Sequence, residues 1–275
     1  MVEHNDFLMG MTKGGEVSDK MFFSAFGVRK EKICENVIIS PGWNPERVFN
    51  MDKGEEVVKS SALFGFKVWN IPFGDLEITY VKTGYGAPMV LDAVLLLATT
   101  KCKNILFLSS VGALSEKFKI GDIVIPKYCV CGDGASRYIG SEKFLPDVFG
   151  EKVYPDNKAL NLLTSVTEKC CCDGNAKWHL GETFCTDTIV AQHRYIKDII
   201  KSGCNSIDME SAVFFKSAKL SGISAAALMQ VSDNTVINKS LFTDNISKEE
   251  KAYRRYVRDN IISEIIKNYF NELVF

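Results

Sequence analysis

Short strand-like runs and helix-forming stretches take turns along most of this chain, and that alternation constrains its fold more tightly than any single motif. "NVIIS" (36–40) is a short apolar strand running into "PGWNPERVFNM", a turn with a helix start. "LEITYVKT" (76–83) alternates well enough for a strand and stops at "GYGAP"; "MVLDAVLLLATTK" then has helix-forming composition, with Pro88 suited to the first helical position. "NILFLSSVGAL" and "GDIVIPKY" predict two more strands, followed by a helix near 158–171, a strand near 177–184 and the apolar run "ISAAALMQV" at 223–231. Such alternation predicts an α/β layer structure with much of its sheet parallel. No linker divides it, because the Gly-, Pro- and charge-bearing stretch 132–157 reads as a long loop region and not as a break in composition. A last helix is predicted over roughly 248–272, where Tyr253, Tyr256, Val257, Ile261, Ile265, Tyr269 and Leu273 recur at three- and four-residue steps. Its Lys248, Lys251, Arg254, Arg255 and Arg258 read as a solvated face.

With 275 residues and 46% hydrophobic content the chain can bury a sizeable core. Its 33 basic and 34 acidic residues leave a formal charge of −1, which removes the electrostatic footprint of a nucleic-acid binder and points to a small ligand. The N-terminus lacks a signal-peptide pattern and no segment offers eighteen uninterrupted apolar residues, which predicts a soluble, cytoplasmic protein with no membrane partner. Nine cysteines, an odd number spread along a long chain without C-x-x-C spacing, predict reduced thiols and no metal site.

Ligands in parallel sheets gather just beyond the carboxyl ends of strands, and four loops there carry unusual residues. "PGWNPER" places Arg47 at a helix start, and "TGYGAP" brings the backbone of Gly84 and Gly86 to a helix N-terminus that favours an anion. "SSVGAL" offers Ser109 and Ser110, and "LMQVSDN" ends a buried strand in Ser232, Asp233 and Asn234, where a partly buried acid with a raised pKa can serve as a general acid. Just upstream, "NSIDMESAVFF" brackets a methionine with two acids, Asp208 and Glu210, where a strand-like run gives way to a helical one. On the residues alone this is a helix N-cap and a first-turn acid.

Taken in order, "PGWNPERV", "TGYGAP", "LSSVGALSEKFKIGDIVIP", "DGAS", "SIDMESAVFF" and "VSDN" resemble the superfamily of purine nucleoside phosphorylases, uridine phosphorylases and nucleosidases, which cleave the N-glycosidic bond of nucleosides. The resemblance runs from about residue 38 to 235. It implies a single α/β domain over 36–275, a mixed, mostly parallel sheet surrounded by helices, preceded by an unmatched N-terminal extension over 1–35. It also implies a homo-oligomer built from dimers, up to a hexamer, in which a neighbour closes each site; the N-terminal segment with His4 is a candidate for that closure.

In the site, the resemblance makes Glu210 the acceptor for the ribose 2′- and 3′-hydroxyls, with Met209 packed on the sugar and Asp208 the weaker candidate. Asp233 becomes the acid that protonates the leaving purine at N7, with Ser232 beside the base. Phosphate, the co-substrate, falls to Arg47, Gly42, Gly86 and Ser110; no metal or cofactor is implied. Two of the family's three phosphate arginines are missing, since their positions fall on Phe107 and Ser61. The aromatic that stacks on the base aligns with Ile189, leaving Phe184 as a substitute, and Lys251 is the candidate for the arginine that assists the catalytic acid. The implied activity is phosphorolysis of a ribonucleoside to base and ribose 1-phosphate. The Ser-Asp pair points to purines, whereas "PERV" and "DGAS" are closer to uridine phosphorylase. Two alternatives stand beside it: a nucleosidase using water, and a relative that binds nucleosides without turnover.

Overall fold

The computed structural model describes residues 3–9, 17–49, 63–74, 76–139 and 147–273. Their strands are β1 (Asn36–Ser40), β2 (Lys67–Phe73), β3 (Leu76–Lys82), β4 (Asn104–Ala113), β5 (Ile123–Gly132), β6 (Lys152–Val153), β7 (Trp178–Thr186), β8 (Ser206–Asp208) and β9 (Ser224–Asn234). They form one sheet in the order β2-β3-β1-β4-β8-β7-β5-β6, with β9 against both β4 and β5. Parallel pairs are β1 with β3 and β4, β4 with β9, β5 with β7, and β7 with β8. The pairs β2/β3, β4/β8, β5/β6 and β5/β9 are antiparallel, so the sheet is mixed and mostly parallel, as the alternation predicts. The run 67–73 carries no strand signal in the reading above; Pro72 is accommodated because β2 is an edge strand.

Period-two alternation sends successive side chains to opposite faces. Val37, Ile39, Phe107, Met229 and Val231 point to one core, Ile38, Leu106, Leu108 and Leu228 to the other. Apart from the short helices α1 (His4–Met9), α3 (Glu46–Phe49) and α6 (Ile196–Lys201), the first core is covered by α2 (Asp19–Phe26), α4 (Ala87–Leu97) and α7 (Ser211–Leu220), the second by α5 (Asn157–Asp173) and the C-terminal helices. Helices on both faces of the sheet make the three-layer α/β arrangement. Phe22 and Phe26 of α2, stacked 4.6 Å apart, lie in the first core although they belong to the segment expected as an extension.

The predicted C-terminal helix forms, but not as one regular α-helix. It consists of α8 (Lys248–Tyr256), opened by a capping box between Ser247 and Glu250, a π-helical segment Val257–Ile262, and α9 (Ser263–Glu272). The wider π turn shifts the register of the faces on either side of it. Every cysteine is free, and only Cys172 is exposed. No helix among the described residues is long and apolar enough to cross a membrane.

Candidate active site

Three strands meet at Gly112: it pairs with Ile207 of β8 on one side and with Asp233 of β9 on the other. A side chain there would press on both, since an added Cβ would lie 3.1 Å from Ile207 Cγ2 and 3.6 Å from each Asp233 carboxylate oxygen. Beside this junction opens a cavity of about 300 Å³. Of the residues expected from the sequence, Gly42, Arg47, Ser110, Ile189, Asp208, Met209, Glu210, Ser232 and Asp233 line it. A larger apolar cavity, about 810 Å³, borders Phe7, Leu91 and Leu95 on α4, away from these residues.

The two acids of "DMES" take different roles. Asp208 does the capping: its Oδ2 accepts from Ser211 N–H at 2.8 Å, and its Oδ1 accepts from Ser211 Oγ at 2.7 Å. Glu210 caps nothing with its side chain. Instead its Oε1 accepts from the Gly86 N–H at 2.7 Å, across 124 residues of sequence. This corrects the expectation for Gly86, whose N–H is engaged by a carboxylate and is not free for an anion. The contact needs the Gly86 backbone at φ 104°, a conformation open to glycine and strained for other residues. Both acids are buried and both have raised pKa values. Burial followed by the charge of Asp208 raises Glu210, while burial raises Asp208 against the donors of Ser211 and Glu210. Glu210 carries the added repulsion of the Asp208 charge against the backbone donors of Gly86 and Met209, and is the member that holds a proton more readily.

Asp233 is aimed by a β-bulge. The β4/β9 register slips between Val111 and Gly112, so Val111 pairs with Val231 but Gly112 with Asp233, leaving Ser232 as the extra residue. The bulge breaks the alternation that would otherwise keep Asp233 on the core face of Met229 and Val231. Burial then raises the Asp233 pKa, opposed by Ser232, Arg254 and His193. Ser232 Oγ lies 2.6 Å from Asp233 Oδ1 and 3.3 Å from the Val111 carbonyl. A hydroxyl has one proton to donate. Ser232 therefore donates to one acceptor at a time, and when it donates to Asp233 it favours the ionised carboxylate, which is how it opposes the effect of burial.

The opposite wall comes from the loop after β1. Trp43, which sequence reading did not single out, donates from Nε1 to Ser110 Oγ at 3.1 Å, and its own carbonyl accepts from Tyr80 Oη at 3.0 Å. Arg47 is exposed at the cavity edge, and Lys82 donates to Asn44 Oδ1 in the same loop at 2.8 Å. Phe107 is wholly buried, its ring 5.1 Å from that of Phe214 in the first core; it brings neither charge nor surface to the cavity. Ser61 lies outside the described residues.

Three further expectations need correction. Phe184 does not border the cavity: its ring packs on Phe149 and over Gly132, where any side chain would collide with it. Besides Trp43 and Tyr85, the rings that line the cavity are His193 and Phe242, 5.8 Å apart, which no sequence motif flagged. Lys251 is exposed and lies outside the cavity lining, and Arg254, assigned above to a solvated face, lines it beside Asp233 instead. His4 bonds through Nε2 to the Leu95 carbonyl of its own chain, at 2.7 Å. The described residues bring together no group of three or more His, Cys, Asp or Glu that could hold a metal ion.

Comparison with known proteins bears on this arrangement. Residues 50–261 match the model of the phosphorylase superfamily. A guanosine phosphorylase of Halorubrum lacusprofundi is 27% identical over 238 residues, covering 84% of this chain and 90% of that protein. A uridine phosphorylase of Thermococcus kodakarensis is 23% identical over 218 residues, 74% of each chain. Among solved structures, uridine phosphorylase from Vibrio fischeri superposes with a TM-score of 0.70 at 18% identity, covering 89% of this chain and 95% of that one. AMP nucleosidase from Bacteroides thetaiotaomicron superposes with a TM-score of 0.66 at 14% identity over 98% of both chains. With most of its length under that family model, and a fold shared with these enzymes, the chain belongs to the phosphorylase superfamily of nucleoside phosphorylases and nucleosidases.

Proposed function

We propose that this protein is a nucleoside phosphorylase that cleaves a purine ribonucleoside with phosphate to give the free base and ribose 1-phosphate. The observation that carries the reading is one cavity that holds a half-buried Asp233 whose pKa is raised by burial, a buried Glu210 and the exposed Arg47. In the proposed reaction the N-glycosidic bond breaks, its electron pair passes to the base, and Asp233 protonates the base at N7. A phosphate oxygen bonds to the anomeric carbon of an oxocarbenium-like ribosyl group. Glu210 holds the two ribose hydroxyls, for which an ionised carboxylate is well suited because it only accepts hydrogen bonds. The reaction calls for no metal or cofactor. The purine preference is supported by the Ser232–Asp233 pair and by the relative named guanosine phosphorylase.

A second reading, hydrolysis by water, is favoured by one observation: an apolar, buried Phe107 where an arginine was expected. The test is a panel of inosine, guanosine, adenosine and uridine assayed with phosphate and with phosphate rigorously removed, identifying the sugar product. Ribose 1-phosphate formed only with phosphate supports the proposal; free ribose at an equal rate in both conditions rejects it. A homo-oligomer built from dimers is part of the same reading, and sedimentation as a 30.7 kDa monomer at micromolar concentration would contradict it.

A further inference from the structure

Arg254 is a cation that forms no close ion pair among the described residues. It is half-buried in α8, just before the π-helical segment, and lines the cavity together with Arg47, Ser110 and Asp233. Its Nε is buried with no hydrogen-bond partner among the described residues, and it makes no ion pair within 4.0 Å among them. Burial and the charges of Arg258 and Arg47 lower its pKa, with Asp233 opposing. A half-buried guanidinium pressed by two others is costly unless an anion joins them.

The residue is nevertheless held firmly by its backbone. Gln230, wholly buried on β9, donates from Nε2 to the Arg254 carbonyl at 2.8 Å and to the Gly121 carbonyl at 3.2 Å. Gly121 lies so close that a Cβ added to it would sit 2.9 Å from the Arg254 Cα. Arg258 is already engaged, donating through Nε to Asp259 Oδ1 at 2.8 Å and to the Arg47 carbonyl at 3.2 Å. It therefore ties the Arg47 loop to the C-terminal helix and leaves the Arg47 and Arg254 side chains as the cations at the cavity. The sheet thus fixes the position of Arg254, and its charge is left for a ligand.

We propose that Arg254 is the second guanidinium of the anion site, binding a tetrahedral dianion of the phosphate class together with Arg47 while it flanks Asp233. This rests on the phosphorylase reading and supplies in cis the charge that Phe107 lacks. It also couples the two halves of the reaction. The groups acting on Asp233 are Ser232 on its own strand, His193 from the loop after β7 and Arg254 from α8. An anion on Arg254 offsets the positive charge that favours ionised Asp233, so the acid holds its proton better when the anion is bound. By linkage, a proton on Asp233 tightens anion binding equally.

Calorimetric titration of the full chain with phosphate, and separately with sulfate, tests this in the absence of nucleoside. Sulfate keeps its charge across the pH range and so reports Asp233 without its own titration. The parent is expected to bind both and to take up protons with sulfate, read from titrations in buffers of different ionisation enthalpy. Arg254→Gln should weaken both anions tenfold or more while changing nucleoside affinity less than threefold. Arg254→Lys should recover part of the loss, and Asp233→Asn should abolish the proton uptake. Arg255→Gln, at an exposed position on the same helix, should bind as the parent does. Unchanged anion binding in Arg254→Gln, or an equal loss of nucleoside binding, overturns the inference and leaves the phosphorylase reading standing. A parent that binds neither anion overturns both.

Discussion

The two walls of the cavity are made in different ways. The wall of Met209 and Glu210, proposed above as the sugar wall, sits in a continuous motif whose helix is capped by its own Asp208, and one long-range contact, from Gly86, orients the carboxylate. The wall of Asp233, Arg254 and Arg47 draws on a bulged strand, a helix ending in a π segment and a loop more than two hundred residues away, tied together by Gln230 and Arg258. A wall made by local sequence tolerates change elsewhere; one assembled from distant segments transmits it. The sugar wall should therefore fail residue by residue, and the opposite wall as a unit.

The largest effect expected is on the assembled wall. Asp233→Asn should lower purine nucleoside turnover by about 10²–10⁴, the range for a lost general acid. If the mutant and an active parent turn over inosine and guanosine at equal rates, the leaving-group assignment is lost.

Next comes the sugar wall. Glu210→Ala should weaken nucleoside binding by about 1.5–3 kcal/mol, because hydrogen bonds to a charged acceptor disappear. A dideoxynucleoside lacking the 2′- and 3′-hydroxyls should bind parent and mutant alike. The pH dependence sharpens this. Glu210 has a raised pKa in the free protein, and ribose hydroxyls need it ionised, so binding expels a proton. Affinity in the parent should rise with pH until Glu210 is ionised before binding, then level off; Glu210→Gln should be flat over the same range. A parent affinity independent of pH would remove Glu210 from sugar binding.

Asp208→Ala tests the local half of the comparison. Losing the cap should cost about 0.5–2 kcal/mol of stability, measured by denaturant unfolding, while nucleoside affinity in the folded protein is kept or raised, because the charge that helps hold the Glu210 proton is gone. A large affinity loss with unchanged stability would reverse the roles given to Asp208 and Glu210.

The smallest effect is expected at Trp43. Trp43→Phe removes one neutral hydrogen bond to Ser110, worth about 0.5–1.5 kcal/mol, and should raise the phosphate KM modestly with little change in nucleoside KM. A change in nucleoside KM alone would place Ser110 on the sugar side.

What the chain shows before folding is what short-range patterning encodes. Apolar runs of fixed period predict the strands and the layer order, and a motif such as "SIDMES" carries its cap and, by the resemblance, the carboxylate proposed to hold the sugar within a few residues. That is why nine of the expected site residues line one cavity. The resemblance could align Phe107 with an expected arginine, and the structure then places its ring in the core, where no periodicity argument puts it on a site.

Tertiary structure alone decided the rest. Phe184 had the right chemistry for a base platform, but its ring lies over Gly132, diagonally across the β5/β7 pair, where the missing side chain leaves it room away from the cavity. His193 and Phe242 lie in segments with no periodic signal and reach the cavity only through folding. Arg254 is the clearest case. On a helical wheel it belongs with Lys251 and Arg255 on the solvent face. A π-helical segment, the carbonyl clamp from Gln230 and the close approach of Gly121 set that stretch against the sheet. Those contacts join residues 121, 230 and 254, and local propensity does not encode pairings at such separations, because they exist only once the strands have paired and the last helix has docked.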